Sequence, residues 1–322
     1  MKKRQETIKS AEEVEREFRK KCLGEAGIGF SAGAALIILV SALFSLIVGM
    51  SVKFPVDPIT KETLYPDWYL YFSFLIPQLC FLGAALIYFM RTKEPVRVLT
   101  KGCKWYYYLL AIALQLGLMF PLSELNDLFI GGLEKLGYHS TGVNVPSLAG
   151  WNILPAIIVI AVLPAIFEET IFRGILSRNM HASGWGLVQT VFITGALFSV
   201  YHGNPEQTLY QFASGVCLTF VAVKAGSIFP TVIAHFLNNA LILILEATLG
   251  SGWTMPTGAF VAVIVVSSLL FVGALVFLIF FDQRNRQKGG VVNGKRFFFS
   301  AAAGIGICAI EWIVQLIMGI KG

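Results

Sequence analysis

Two adjacent carboxylates stand in the run Leu163-Pro-Ala-Ile-Phe-Glu-Glu-Thr-Ile-Phe-Arg173, inside a chain that is otherwise oily. A carboxylate at bilayer depth costs about 2.5–3.5 kcal/mol on insertion scales, so such residues are rare there and mark pathways, relays or sites. Glu169 and Arg173 are four apart and share a helix face, in the order that favours an ion pair. Glu168 is turned about 100° from Glu169 and about 140° from Arg173, so it points elsewhere. This spacing predicts one neutralised, structural carboxylate and one left free in a low-dielectric site, where a glutamate can serve as general base. Downstream, Phe198-Ser-Val-Tyr-His202 places a ring and an imidazole on one stripe. His235-Phe-Leu-Asn-Asn239 places His235 and Asn239 on one face, with Asn238 flanking. Polar groups at i and i+4 inside a bundle either glue helices together or aim donors at a developing oxyanion. Together the pieces point to acid–base chemistry within a membrane. Singly, each has a plainer reading: Glu168, Glu169 and Arg173 as a cluster meeting headgroups at a helix end, and His202 as a helix–helix hydrogen bond. Glu246, on the stripe of His235, falls near a helix end where it reaches water.

The elements that must position these residues are membrane helices. The chain has 322 residues, 56% hydrophobic and 14% charged, with net charge +6. Soluble domains carry about 25% charged residues, so the composition is that of a membrane protein. Apolar runs of spanning length (about 20 residues) are expected at approximately 28–50, 68–90, 105–123, 151–178, 186–203, 208–224, 228–248, 258–281 and 297–319. The fold class predicted is all-α and polytopic, a bundle of eight or nine helices around an intramembrane cavity. With the N-terminus cytoplasmic, segments 1–27, 91–104, 173–185, 224–227 and 282–296 lie inside and hold 21 of the 25 Lys and Arg. That distribution meets the positive-inside rule and suits a bacterial plasma membrane with anionic lipids. It also accounts for the positive charge topologically, with no nucleic acid as partner. The expected organisation is a cytosolic segment 1–27, helices one to three over 28–123, an external loop 124–150, a catalytic core 151–281 and a basic loop with a last helix over 282–322.

Residues 1–27 mix eight basic and six acidic residues, unlike a signal peptide. The repeat Ile8, Ala11, Val14, Phe18 and Cys22 suggests an amphipathic helix on the membrane face, and a solvated charged lead-in is the alternative. The five cysteines (Cys22, Cys80, Cys103, Cys217 and Cys308) are scattered and imply no disulfide framework.

In order and spacing, Glu168-Glu169-x-x-x-Arg173, Phe198-x-x-x-His202 and His235-x-x-x-Asn239 resemble the EExxxR, FxxxH and HxxxN motifs of the CAAX-protease and bacteriocin-processing (CPBP, or ABI) family. That family includes the type II CAAX prenyl endopeptidases, and the resemblance covers roughly residues 150–245. It implies cleavage of a membrane-associated protein or peptide, prenylated or not, with the site facing the cytosol. By the same resemblance Glu168 and His202 would activate the attacking water, His235 and Asn239 would stabilise the oxyanion, and Glu169 and Arg173 would support the site, beside Phe198 and Asn238. It favours a glutamate-type mechanism without a cofactor. Zinc held by Glu168, His202 and His235 is the alternative. The family core has about eight helices, so the helix at 297–319, with Glu311 and Gln315 four apart, is additional. Glu168 and His202 meet only if helix four is long and extends to about residue 178.

Other motifs are weaker. Gly29-Phe-Ser-Ala-Gly33 fits GxSxG, but at the start of a membrane helix it reads as small-residue packing. Ser214-Gly215 could mark a serine nucleophile, though that leaves Glu168 unexplained. There is no HExxH, and His139 and His181 read as surface residues. A proton- or solute-coupled transporter and a catalytically silent immunity or scaffold protein are the rival classes. No internal repeat supports transport.

Overall fold

The computed structural model describes residues 10–58, 63–139, 142–250, 254–282 and 293–321, and among these there is no strand. The chain is a helical bundle of α1 (Ala11–Ser51), α2 (Asp67–Thr92), α3 (Tyr106–Lys135), α4 (Gly150–Ala182), α5 (Leu187–Tyr201), α6 (Thr208–Ala225), α7 (Phe229–Leu249), α8 (Thr257–Phe281) and α9 (Lys295–Lys321). Eight of these are long and apolar enough to cross a membrane, and the protein is an integral membrane protein. All nine predicted segments are helical, but α5 has 15 residues and a rise of about 22 Å, too short to span.

Residues 11–27 do not form a separate surface helix. Ser10 and Glu13 cap each other reciprocally, and no proline interrupts the following 41 residues, so one helix runs from Ala11 to Ser51. Cys22, Leu23 and Ala26 are buried while Val14 and Phe18 are exposed; Ile8 lies outside the described residues. Residues 124–135, expected in an external loop, continue α3 through Pro121. Most of the basic 282–296 linker lies outside the described residues.

Glycine brings α1 and α9 together. A Cβ on Gly27 would lie 2.1 Å from Ser300 Oγ and 2.7 Å from the Ala301 nitrogen, and Ser31 Oγ donates to the Ser300 carbonyl at 2.9 Å. The Gly29–Gly33 pair packs as a small-residue face, Gly29 against Ile175 of α4 and Gly33 against Phe81 of α2. One core joins α1, α2, α4, α5 and α9; a second joins α3, α6, α7 and α8. The site lies where these cores meet.

Within α4, residues Ile157–Val162 and Thr170–Ser177 are wound as π-helix. Pro164 explains the first: it has no N–H for the Ile160 carbonyl four residues back. Asn239 Nδ2 of α7 donates to that carbonyl at 3.1 Å, which ties α7 to the distortion. The described cysteines are all free, and four are buried.

Candidate active site

The hairpin of α4 and α5 sets the depth of the site. It turns at Ser183-Gly184-Trp185, with Gly184 at φ +93°, where a side chain would be strained. Glu168 lies sixteen residues before Gly184 and His202 eighteen after it, so two antiparallel helices bring them to one level. α4 runs on to Ala182, the length their meeting requires, and the shortness of α5 ends it at His202.

Glu169 and Arg173 are both fully buried and paired at 2.7 Å. Arg173 also donates to the Gly215 carbonyl at 3.1 Å and lies over the Phe198 ring, 4.5 Å from its centroid. The second π-stretch begins directly after Glu169, yet the four-residue spacing still closes the pair. Gly215 carries no side chain because its Cβ would come within 2.9 Å of Gly195 Cα, so α5 and α6 touch backbone to backbone. Arg173, counted in the sequence with an inside loop, is thus a core residue. Lys224 is another, buried and bonded to the Asp282 carbonyl at 2.7 Å.

Glu168 turns away from Arg173, as the helical spacing predicts. It is 5% exposed, accepts from Gln78 Nε2 at 3.0 Å, and has its other oxygen 4.0 Å from His235 Nε2. His235 Nδ1 donates to Glu169 at 3.0 Å. His202 Nδ1 donates to the Phe198 carbonyl at 2.7 Å, and its ring stands edge-on to Phe198. A carbonyl only accepts, so this bond keeps the His202 proton on Nδ1 and leaves Nε2 with a lone pair. Asn238 Oδ1 accepts from Tyr210 at 2.9 Å, and Asn238 Nδ2 donates to Asn239 at 3.2 Å. Glu168, His202, His235, Asn238 and Asn239 line one cavity of about 620 Å³. Glu169, Arg173 and Phe198 stand behind its wall.

Residues 150–241 match the family described as Type II CAAX prenyl endopeptidase Rce1-like. Over that stretch, less than a third of the 322 residues, the chain is similar to the CAAX-protease family. Comparison with curated proteins and with solved structures gives no match. The similarity supports, in general terms, a CAAX-type intramembrane endopeptidase acting on a membrane-associated protein.

In the cavity wall the structure adds two residues that the sequence did not single out, Gln78 and Tyr210. Gln78, beside Pro77 in α2, holds Glu168; a glutamine in an apolar helix was the available signal. Tyr210 holds Asn238. Glu311, from the additional helix α9, reaches the same cavity, whereas its i+4 neighbour Gln315 is exposed. Glu246 and His139 are exposed, as expected. His181 is not a surface residue: it ends α4, half-buried, on a smaller cavity of about 290 Å³ shared with Arg173. Ser214 is buried and exchanges hydrogen bonds with Gln115 at 2.9 and 3.2 Å.

Proposed function

We propose that this protein hydrolyses a peptide bond of a membrane-associated substrate with water activated by Glu168 and His202. The observation that carries the reading is the division between the two glutamates. Glu169 is neutralised by Arg173, while Glu168 faces a cavity with two histidines and no cationic side chain bonded to it. Water gives its proton to Glu168 as its oxygen attacks the scissile carbonyl. The developing oxyanion is stabilised by the second N–H of the Asn238 and Asn239 carboxamides, beside the His235 ring that its Nδ1–H bond to Glu169 holds in place. The proton then passes to the departing amine and the C–N bond breaks. His202, with Nε2 free, holds the water and relays the proton.

The His202 and His235 rings each have Nδ1 tied to an oxygen acceptor, a pattern that also suits metal-ligating histidines. Among the described residues, however, no three His, Cys, Asp or Glu side chains converge as a metal site. Zinc on Glu168, His202 and His235 would need these side chains to close together. The basic segments orient the N-terminus and the cavity toward the cytosol of a bacterial plasma membrane, which suits a substrate arriving along the bilayer, prenylated or not.

The test is cleavage of membrane-anchored peptides by the purified protein, beside Glu168→Gln, each with and without a zinc chelator. Cleavage lost in the variant and retained in chelator supports the glutamate mechanism. Loss of wild-type cleavage on chelation moves the water onto zinc, and cleavage retained in Glu168→Gln overturns the assignment of the base.

A further inference from the structure

The cavity has a wall that the proposed chemistry does not use. Glu311, on α9 and outside the matched residues 150–241, lines it half-buried beside the His202–Gly203 turn. Gly203 has φ +61°, and a Cβ there would lie 3.0 Å from Glu311 Cδ, so the turn is shaped to admit this carboxylate. Trp312 Nε1, the next residue, donates to Thr208 Oγ1 at 2.8 Å and fixes α9 against α6. Tyr201 lines the same cavity as Glu168 and Glu311. Among the described residues, Glu311 has no hydrogen-bond or ion-pair partner, and the cavity is lined by no lysine or arginine.

A second acceptor on this wall is also unmatched. Gln78 is 4% exposed; its Nε2 is committed to Glu168, and its Oε1 receives no donor from the described residues. Asn126 Oδ1, lining the same cavity, is likewise without a donor. Buried acceptors are ordinarily satisfied, so a ligand entering here must bring donors, and beside a carboxylate with no nearby fixed cation it is favoured to bring positive charge.

We propose that Glu311 is a specificity residue that receives a lysine or arginine side chain of the peptide substrate flanking the scissile bond. The proposal rests on the endopeptidase reading of the same cavity. α9 then does more than brace α1: it supplies the charge by which the cavity discriminates among peptides.

The test uses the full-length protein in lipid nanodiscs and fluorescence-quenched peptides identical except for Lys, Gln or Glu at each position flanking the central bond. At one position, wild type is expected to favour Lys over Gln by about tenfold in kcat/KM. Glu311→Gln levels that preference, Glu311→Asp retains part of it, and Glu311→Lys turns it toward the Glu peptide. The same peptides, bound to Glu168→Gln protein and followed by anisotropy, show the same order, which disappears when Glu311→Gln is added. Thermal unfolding confirms that each variant is folded. Equal treatment of the three peptides by wild type, or a Lys preference that survives Glu311→Gln, overturns the proposal. Absence of cleavage together with Glu311-dependent binding of the Lys peptide sinks the proteolytic reading and leaves the cation site standing.

Discussion

The hairpins that hold the candidate site and the frame that surrounds them solve membrane packing in opposite ways. In α4–α7, polar side chains are buried and bonded to one another: Glu169 to Arg173 and His235, Asn238 to Tyr210, Asn239 to the Ile160 carbonyl. The α1–α9 seam instead relies on absent side chains, with Gly27 and Gly304 letting backbones meet. Without a hydrophobic drive between helices in lipid, close contact and internal hydrogen bonds are the available glues. The frame relies mainly on the first, with Ser31 adding one bond to the Ser300 carbonyl and one from the Gly304 N–H. The hairpins use the second, which fixes atoms, and the proposed chemistry sits where atoms must be fixed.

The sharpest break in the comparison is Arg173→Met. It leaves Glu169 buried beside an empty place, and removing one partner of a buried pair costs about 3–5 kcal/mol. Thermal unfolding in detergent should show this as a large drop, with cleavage lost as well. The double variant Glu169→Gln/Arg173→Met should recover much of the stability, because neither charge is then stranded. If the single variant unfolds like wild type, the pair is not what holds the hairpin.

Glu168→Gln separates chemistry from packing in the same segment. Its amide keeps the shape and can still meet Gln78, so stability should change by less than about 1 kcal/mol. Cleavage should fall on the order of 10³-fold, the effect of losing a general base. A stability loss matching that of Arg173→Met would show Glu168 to be structural, which is the headgroup-cluster reading in another form.

Much of this division is legible in the sequence, because the i,i+4 rule places Glu169 with Arg173 and turns Glu168 away. The rule holds although Arg173 lies in the π-wound stretch, because the change in winding over one turn still leaves the pair at 2.7 Å. The ring-over-imidazole stripe of Phe198 and His202 is legible for the same reason. What local spacing cannot show is which helices share a wall. Gln78 and Glu311 lie 90 residues before and 143 after Glu168, and nothing in their local sequence ties either to Glu168 until tertiary packing brings it to the cavity. The α5 boundary is likewise not a spanning-length problem: Gly203, at φ +61°, turns the chain just after the helix ends, and the glycine contact at Gly195–Gly215 sets how close α6 lies. The run from residue 11 into the first span reads as two segments by composition, and is one helix because nothing in it breaks the hydrogen-bond ladder.

On the frame side, Gly27→Leu should destabilise by about 1–3 kcal/mol, since the added atoms meet Ser300 and the backbone of α9. Gly306→Leu is the matched control on α9, with nothing within 4 Å of its Cβ, and should leave the unfolding midpoint in place. Equal effects at the two glycines would mean that helix flexibility, and not the α1–α9 seam, governs the loss.

The smallest effect tests whether every buried polar group near the cavity is machinery. Ser214 lines the cavity, but its hydroxyl donates to Gln115 Oε1 and accepts from Gln115 Nε2, so no base is placed to activate it. Such interhelical bonds average about 0.6 kcal/mol in double-mutant cycles. The Ser214→Ala, Gln115→Leu cycle should therefore yield a coupling of that size by thermal unfolding, with Ser214→Ala cleaving peptide at the wild-type rate. A collapse of cleavage in folded Ser214→Ala would reinstate the serine as nucleophile and reduce Glu168 to a neighbour. Unchanged cleavage would mark the α3–α6 contact as glue, and place the boundary between the two ways of packing inside the cavity wall itself.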